Sequence, residues 1–410
     1  MGQRVLFLSN GHGEDLNASL ILQALTSLRS DVQAAAMPIV GEGQAYRRSA
    51  VAIIGPTQVM PSSGFSYINV GRWLNPANWN RDSNLQNLLR DLGAGLVGLI
   101  WGQVKAVRRY GQGCDLLFAT GDIVPILFAY ITGRPFMAFL VSNSSYYEGR
   151  IKLPWLVWMA LRSPHCAAVF TRDACTAQDL NQRGLAKARF CGYPIMDVLA
   201  PTGKDLGLAT DLPVVALLPG SRLPEALENL KLLLQLCELV DNHQPIQFVA
   251  ALVGAITPER LSAVAQTQGW GLAPDYALVK GEVRVTYHSD AFPDILHRCG
   301  LALGMAGTAV EQVVGLGKPV IQIIGRGPQF TYPFAEAQMR LLGESVLTVG
   351  QRPADRALLA EAAAKVVAVL ADPGYRDRCI HNGQVRVGPP GGSAAIAEQI
   401  QAYLGVVEAA

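Results

Sequence analysis

The 410-residue sequence is short of charge, of paired cysteines and of long apolar runs. Only 16% of residues are charged and the net charge is +2, so no global field draws the chain to nucleic acid. Seven cysteines stand at 114, 166, 175, 191, 237, 299 and 379, with no pair at CxxC spacing. That argues against a zinc cage or a disulfide framework and for reduced cytosolic thiols. No stretch offers about 20 apolar residues without interruption, the length a spanning helix needs. The nearest, residues 116–132, is broken by Gly121, Asp122 and Pro125. The opening apolar run at 5–8 is four residues long and ends in Ser-Asn-Gly, which reads as a strand and not as a signal peptide. A cytoplasmic protein without a nucleic-acid partner is expected. Short-period repeats and low-complexity tracts are also missing.

What is present is alternation of strand and helix. Apolar runs at Arg4–Ser9, 116–119, 136–141 and 167–171 read as strands, and 189–194 as a short strand ending in a turn. Leu16, Leu20, Leu25 and Leu28 recur at helical spacing over 15–28, and a second helix is expected over 174–183. The pattern lapses in "MDVLAPTGKDLGLATDLP", where Pro201, Gly203, Gly207 and Pro213 break both periods. A second series then begins, with strands at Val214–Leu218, 247–253, 283–286, Leu301–Gly304 and 320–324. The expected division is a first domain over 1–200, a linker over 201–213, a second domain over 214–391, and a terminal helix over 392–410 that packs back on the first domain. Repeated strand–helix units imply parallel sheets covered on both faces, hence an α/β fold with two doubly wound, Rossmann-like domains. Ligands in such sheets sit at the carboxyl ends of strands, where the strand order reverses.

Two windows in the second series carry anion chemistry. In "LLPGSRLPEALENL" a strand stops at Pro219 and a helical pattern begins, with Glu225 in its first turn. Gly220 permits close backbone approach, Ser221 supplies a hydroxyl and Arg222 a fixed charge with a fork of donors. Together with a helix N-terminus they suit a phosphate. The competing reading is an ordinary turn in which Ser221 caps the helix and Arg222 is solvated. In "GMAGTAVEQVVGLGKPVIQIIGRGPQFT" a strand runs into Ala306-Gly307-Thr308-Ala309 at another helix start, and Gln329 follows the next strand. Two anion-capable strand ends in one domain fit a nucleotide diphosphate better than a lone ion.

These motifs, "LLPGSRLPE" and "AGTAVEQVVGLGKP", resemble the donor-domain motifs of the lipid-A-disaccharide synthases. Gly192-Tyr193-Pro194 resembles that family's Gly-His-Pro segment, and "NGHGEDLNASL" its opening loop. The resemblance implies a GT-B architecture, two Rossmann-like domains facing across a cleft, and transfer of a sugar from a UDP-sugar, which is a substrate and not a cofactor. It implies that Gly220, Ser221, Arg222, Glu225, Gly307, Thr308, Ala309 and Gln329 line the donor site. Counting seven residues back from Pro319 lands on Gln312, with Glu311 one residue earlier, and either could hold the ribose. Glu336 and Gln338, in "YPFAEAQMRLLG", resemble an acidic-x-Gln element that contacts sugar hydroxyls in a related GlcNAc transferase; an exposed helix start is the plainer reading. The family's Gly-Glu-Ala-Ser-Gly-Asp loop is replaced here by Gly11-His12-Gly13-Glu14-Asp15, so its acceptor is not carried over.

Transfer needs a base for the acceptor hydroxyl. His12, in a glycine-flanked loop after the first strand, is one candidate, since an imidazole accepts a proton near neutral pH. Asp122 in "ATGDIVP" is the other, as base or as orienter of His12. Glu14 and Asp15 stand beside them as further catalytic candidates. The bland alternatives are turn completion and helix capping. No DxD-type metal element stands out. In 93–110, "GAGLVGLIWGQVKAVRRY", apolar positions and a Trp meet Lys105, Arg108 and Arg109, and "KLPWLVWMALR" repeats the pattern. Such helices suit an anionic bilayer surface, although a core helix looks the same in sequence and is the plainer reading. An inverting, metal-independent glycosyltransferase with a lipid or lipid-like acceptor, peripheral at the membrane, is therefore the leading expectation. A UDP-GlcNAc 2-epimerase-like enzyme and a non-catalytic nucleotide-sugar binding protein are the alternatives.

Overall fold

A computed structural model describes residues 2–59, 90–327 and 330–409. The chain divides into two compact units, one of residues 1–197 with 390–410 and the other of residues 198–389.

In the first unit β1 (Arg4–Ser9), β2 (Gln33–Pro38), β3 (Ala52–Ile53), β4 (Leu116–Gly121), β5 (Phe136–Leu140), β6 (Cys166–Thr171) and β7 (Ala188–Arg189) form one parallel sheet in the order β3-β2-β1-β4-β5-β6-β7. Each central strand is an apolar run because helices cover both faces. Alternate residues serve opposite layers. Leu6 and Leu8 join a core with the helices Leu96–Gly111, Ile123–Tyr130 and Trp155–Arg162. On the other side of the pleat Phe7, Phe118 and Phe170 line up, with ring centroids 5.3 and 6.0 Å apart. The helix His12–Leu28 packs against the terminal helix Gly392–Ala409. Gln3 Nε2 donates to the Leu404 carbonyl at 2.8 Å, and Asp197 accepts from the N–H of Gly391 and Ser393 at the start of that helix. The terminal helix is thus an integral part of the first unit.

The second unit holds β8 (Val214–Leu218), β9 (Gln247–Ala251), β10 (Gly271–Ala273), β11 (Ala277–Lys280), β12 (Val283–His288), β13 (Leu301–Gly304), β14 (Val320–Ile323) and β15 (Val346–Val349), in the order β10-β11-β12-β9-β8-β13-β14-β15. Its six parallel strands repeat the progression of the first sheet, and β10 and β11 extend one edge antiparallel. Residues 201–213, expected as a linker, are fastened to this unit. Asp294 accepts from the backbone N–H of Thr202 and Gly203, both at 2.8 Å, and from the Thr202 hydroxyl. These bonds hold its carboxyl below the usual range against the upward pull of desolvation.

In both sheets the order reverses between two neighbouring strands, β1 and β4 in the first and β8 and β13 in the second. The carboxyl ends of those pairs are where a doubly wound sheet opens a crevice.

Candidate active site

At the first switch point the chain leaves β1 at Asn10 and β4 at Gly121, and the two loops meet. Asn10 is fully buried, and its Nδ2 donates to Asp122 Oδ1 at 2.7 Å. Gly121 has φ +136°, and a Cβ there would lie 2.2 Å from Asn10 Oδ1, so only glycine fits. Asp122 is half-buried. Burial, reinforced by the charge of Glu14, pushes its carboxyl up to about 6, against the lowering effect of the Ile123 N–H and of Asn10. Glu14 accepts from Ser142 Oγ, just past β5, at 2.5 Å. Ser9 Oγ donates to Asp15 Oδ1 at 2.6 Å and lies 2.7 Å from the buried Tyr46 hydroxyl.

The four catalytic candidates therefore separate. Asp122 and Glu14 lie close together at the strand ends. Asp15 is turned inward and is 1% exposed, so it backs the site and does not line it. Burial pushes its carboxyl to about 7, Ser9 pulling it down and Glu14 adding to the rise. It is not a helix cap either, since the helix His12–Leu28 carries no side-chain cap. His12 is exposed at the start of that helix, beside Gly41, where a Cβ would lie 3.5 Å from His12 Cε1. The structure gives Asp122 a bond to Asn10, not to His12. Asn10, Ser142 and Tyr46 were not singled out from the sequence. Asn10 could have been, because it is the first residue past β1; Ser142 and Tyr46 reach the site only through the fold.

At the second switch point Gly220, with φ +104°, follows β8, and a Cβ there would press on the Met305 carbonyl at 3.1 Å. Ser221 and Arg222 are exposed. The helix begins at Glu225, which stands in its first turn as expected, with Pro224 at its cap and no side-chain cap bond, so Ser221 does not cap it. Beside this turn the Met305 N–H donates to the Leu218 carbonyl at 2.8 Å, and Gly307 opens the helix Thr308–Gly315, with Thr308 and Ala309 half-buried in its first turn.

Several donor candidates prove to be internal supports. Glu225 is buried and accepts from the Phe330 N–H at 2.8 Å, tying its helix to the loop after β14. Gln338 is buried, donating to the Ala306 and Gly307 carbonyls at 3.2 Å each and accepting from Gln322 Nε2 at 2.5 Å. It shapes the Gly307 turn from behind, and its amide is not presented to a sugar. Gln312 is buried whereas Glu311 is half-exposed, which separates the two ribose candidates. Glu336 pairs with Arg340 at 2.8 Å along its own helix. Gln329 lies outside the described residues. Among the described residues no group of three or more His, Cys, Asp and Glu is placed to hold a metal ion.

The helices Leu96–Gly111 and Trp155–Arg162 bury one face and expose another. Leu96, Leu99 and Val107 are in the core, while Val97 is 65%, Trp101 61% and Trp155 71% exposed. Lys105 Nζ lies 5.3 Å from the centre of the Trp101 ring, and Arg108 and Arg109 are exposed further along. Among the described residues no helix is long and apolar enough to cross a membrane.

Two doubly wound sheets, each with its strand order reversing at a switch point, define a GT-B type fold. Comparison with solved structures agrees. The chain matches the calicheamicin glycosyltransferase CalG4 with a TM-score of 0.61 at 16% identity, covering 99% of each chain. It matches a putative UDP-N-acetylglucosamine 2-epimerase from Listeria monocytogenes with a TM-score of 0.58 at 12% identity, covering 99% of this chain and 97% of that one. No family model matches the chain. In sequence it is related to the lipid-A-disaccharide synthases. It is 24% identical to that of Geobacter sulfurreducens over 211 residues, 48% of this chain and 51% of the relative. It is 32% identical to that of Thiobacillus denitrificans over 149 residues, 35% and 36% of the two. The chain thus spans about half, or less, of the length of these curated relatives.

Proposed function

We propose that the chain is a glycosyltransferase that moves a sugar from a nucleotide diphosphate, UDP by preference, to a hydroxyl of a lipid or lipid-like acceptor. The observation that carries this reading is the pair of adjacent strand ends in the second sheet. Gly220 with Ser221 and Arg222 stands on one, and Gly307 opening a helix stands on the other. Backbone N–H groups, a guanidinium and a helix dipole are the groups a diphosphate needs, and these two neighbouring strand ends carry them. The relation to lipid-A-disaccharide synthases supports a sugar nucleotide as the guest.

The proposed chemistry is a single displacement. The acceptor oxygen bonds to the anomeric carbon as the bond from that carbon to the diphosphate oxygen breaks. The electron pair leaves with the nucleotide, the hydroxyl proton passes to Asp122, and the configuration inverts. Arg222 and the N-terminus of the helix Thr308–Gly315 meet the charge on the leaving group, and Glu311 holds the ribose. The scheme calls on no metal and no cofactor.

UDP should bind to the intact protein, and Arg222→Ala should weaken that binding by about 1.5–3 kcal/mol, the scale of a hydrogen bond to a charged group. Titration calorimetry measures it, and unchanged affinity would remove Arg222 from the site. With a UDP-sugar and a lipid extract the transferase reading requires free UDP and a glycosylated product. An epimerised sugar nucleotide instead would move the assignment to the epimerase type.

The exposed aromatic and basic face of the first unit is proposed to rest on an anionic bilayer. The protein should therefore sediment with anionic vesicles at low salt and be released as salt rises, because surface attraction is screened within about 8–10 Å at physiological ionic strength. Failure to sediment at any salt concentration points to a soluble acceptor.

A further inference from the structure

We propose that Asn10 is the positioning residue of the base: it grips the Asp122 carboxyl by Oδ1 and so fixes how that carboxyl meets the acceptor hydroxyl. This rests on the transferase reading for its purpose, but not for its geometry. Asn10 is the first residue past β1, it is fully buried, and its Nδ2 lies 2.7 Å from Asp122 Oδ1. With Asp122 ionised the amide faces one way. Its Oδ1 is set against Gly121, and turning the amide over would put a carbonyl oxygen against a carboxylate.

That arrangement is costly. Asn10 Oδ1 is buried with no hydrogen-bond partner. A buried polar atom without a partner is expensive, and an apolar residue of similar size would avoid the expense. The compensation lies on the other atom of the amide, which meets a carboxylate. Gly121 belongs to the same device, because any larger residue would drive the amide away from Asp122. Three residues from two neighbouring strand ends, Asn10, Gly121 and Asp122, thus form one rigid constellation at the switch point.

The groups facing Asp122 decide what Asn10 does for it. From the helix His12–Leu28 come Glu14, whose charge acts on Asp122, and Asp15 and His12 nearby in sequence; the helix Ile123–Tyr130 carries no charged residue. Burial and Glu14 both favour the protonated acid, which cannot accept a proton. The backbone N–H of Ile123 and then the Asn10 N–H oppose them by favouring the anion, and Asn10 is the side chain among these donors.

The test uses two variants, Asn10→Leu, which keeps the branched shape, and Asn10→Ala, which avoids any added bulk. Both remove the donor. The Asp122 carboxyl is followed by carbon-13 NMR titration of the full chain, assigned by its loss in Asp122→Asn, alongside the pH profile of sugar transfer. In both variants the titration should move to higher pH by about one unit, and the acid limb of the rate profile should move with it. Lower thermal stability with an unmoved titration overturns the proposal, because a merely structural asparagine would give that result. The NMR arm needs no turnover. If the parent protein transfers no sugar, the transferase reading falls, and a shifted titration still establishes that Asn10 holds Asp122.

Discussion

Asp122→Asn should cut turnover by about 10²–10⁴-fold while leaving UDP affinity intact, the usual cost of losing a positioned base. The amide keeps the shape of the carboxyl and can no longer take a proton. UDP affinity is the internal control, since the nucleotide is proposed to bind in the second unit. The same substitution should make the protein more stable above pH 6. Asp122 is raised from its ordinary 3.8 to about 6, chiefly by burial, so its ionised form is disfavoured in the folded protein. A native pKa above the unfolded one means the folded state gains stability by keeping its proton at low pH and loses that stability as pH rises through 6. A neutral amide escapes the loss. A variant that is both dead and more stable marks a carboxylate kept for chemistry rather than for the fold. His12→Ala is the companion. With Asp122 as base it should retain the acid limb of the rate profile and most of the turnover. The opposite pair of results would make the exposed imidazole the base. Near-normal turnover in both variants would remove both residues from catalysis and favour a binding protein.

How far the sequence revealed this arrangement differs between its parts. Strands with large apolar residues were legible: Arg4–Ser9, Val214–Leu218 and Leu301–Gly304 fall where the residue pattern put them. β2 was not legible. Its run Gln-Ala-Ala-Ala-Met-Pro has no β-branched residue, and it is a strand because parallel pairing with β1 imposes it. β3, with two residues, and the hairpin of β10 and β11 likewise owe their existence to sheet edges that a local window does not contain. For the site, the strand-end glycine of the second sheet was readable because glycine has a local meaning at a φ such as that of Gly220. Which way a polar side chain turns was not. Glu311 and Gln312 are adjacent on one helix and differ in burial. Gln338 and Glu225 look like surface groups in sequence, yet each is held inside by a partner far along the chain. Polar residues buried to support a turn and polar residues presented to a ligand share composition and position; tertiary partners alone separate them.

Asp15→Asn should stabilise the protein in a way that depends steeply on pH. Asp15 is raised from 3.8 to about 7, burial being the main cause, with Glu14 adding to it and the Ser9 hydroxyl opposing it. The folded pKa is the higher one, so the native state holds a proton that the unfolded chain has released at any pH between the two values. Stability therefore falls as pH rises across that window, and above pH 7 the full cost of about 4 kcal/mol is in place. Asparagine does not titrate. It keeps an oxygen for the Ser9 hydroxyl, and it sets an N–H where the unpartnered Oδ2 now lies. The gap between variant and parent should widen by about 2–3 kcal/mol from pH 5 to pH 8, as measured by urea unfolding at matched ionic strength. Parallel curves would mean that Asp15 ionises freely in the folded protein, and that the chain from Asp15 through Ser9 to Tyr46 is open to water. A widening gap would instead place a mostly neutral acid behind Asp122 and Glu14 below pH 7. The negative charge at the strand ends would then rest mainly on those two carboxylates, the condition under which Glu14 raises Asp122 and Asn10 is needed to restrain it.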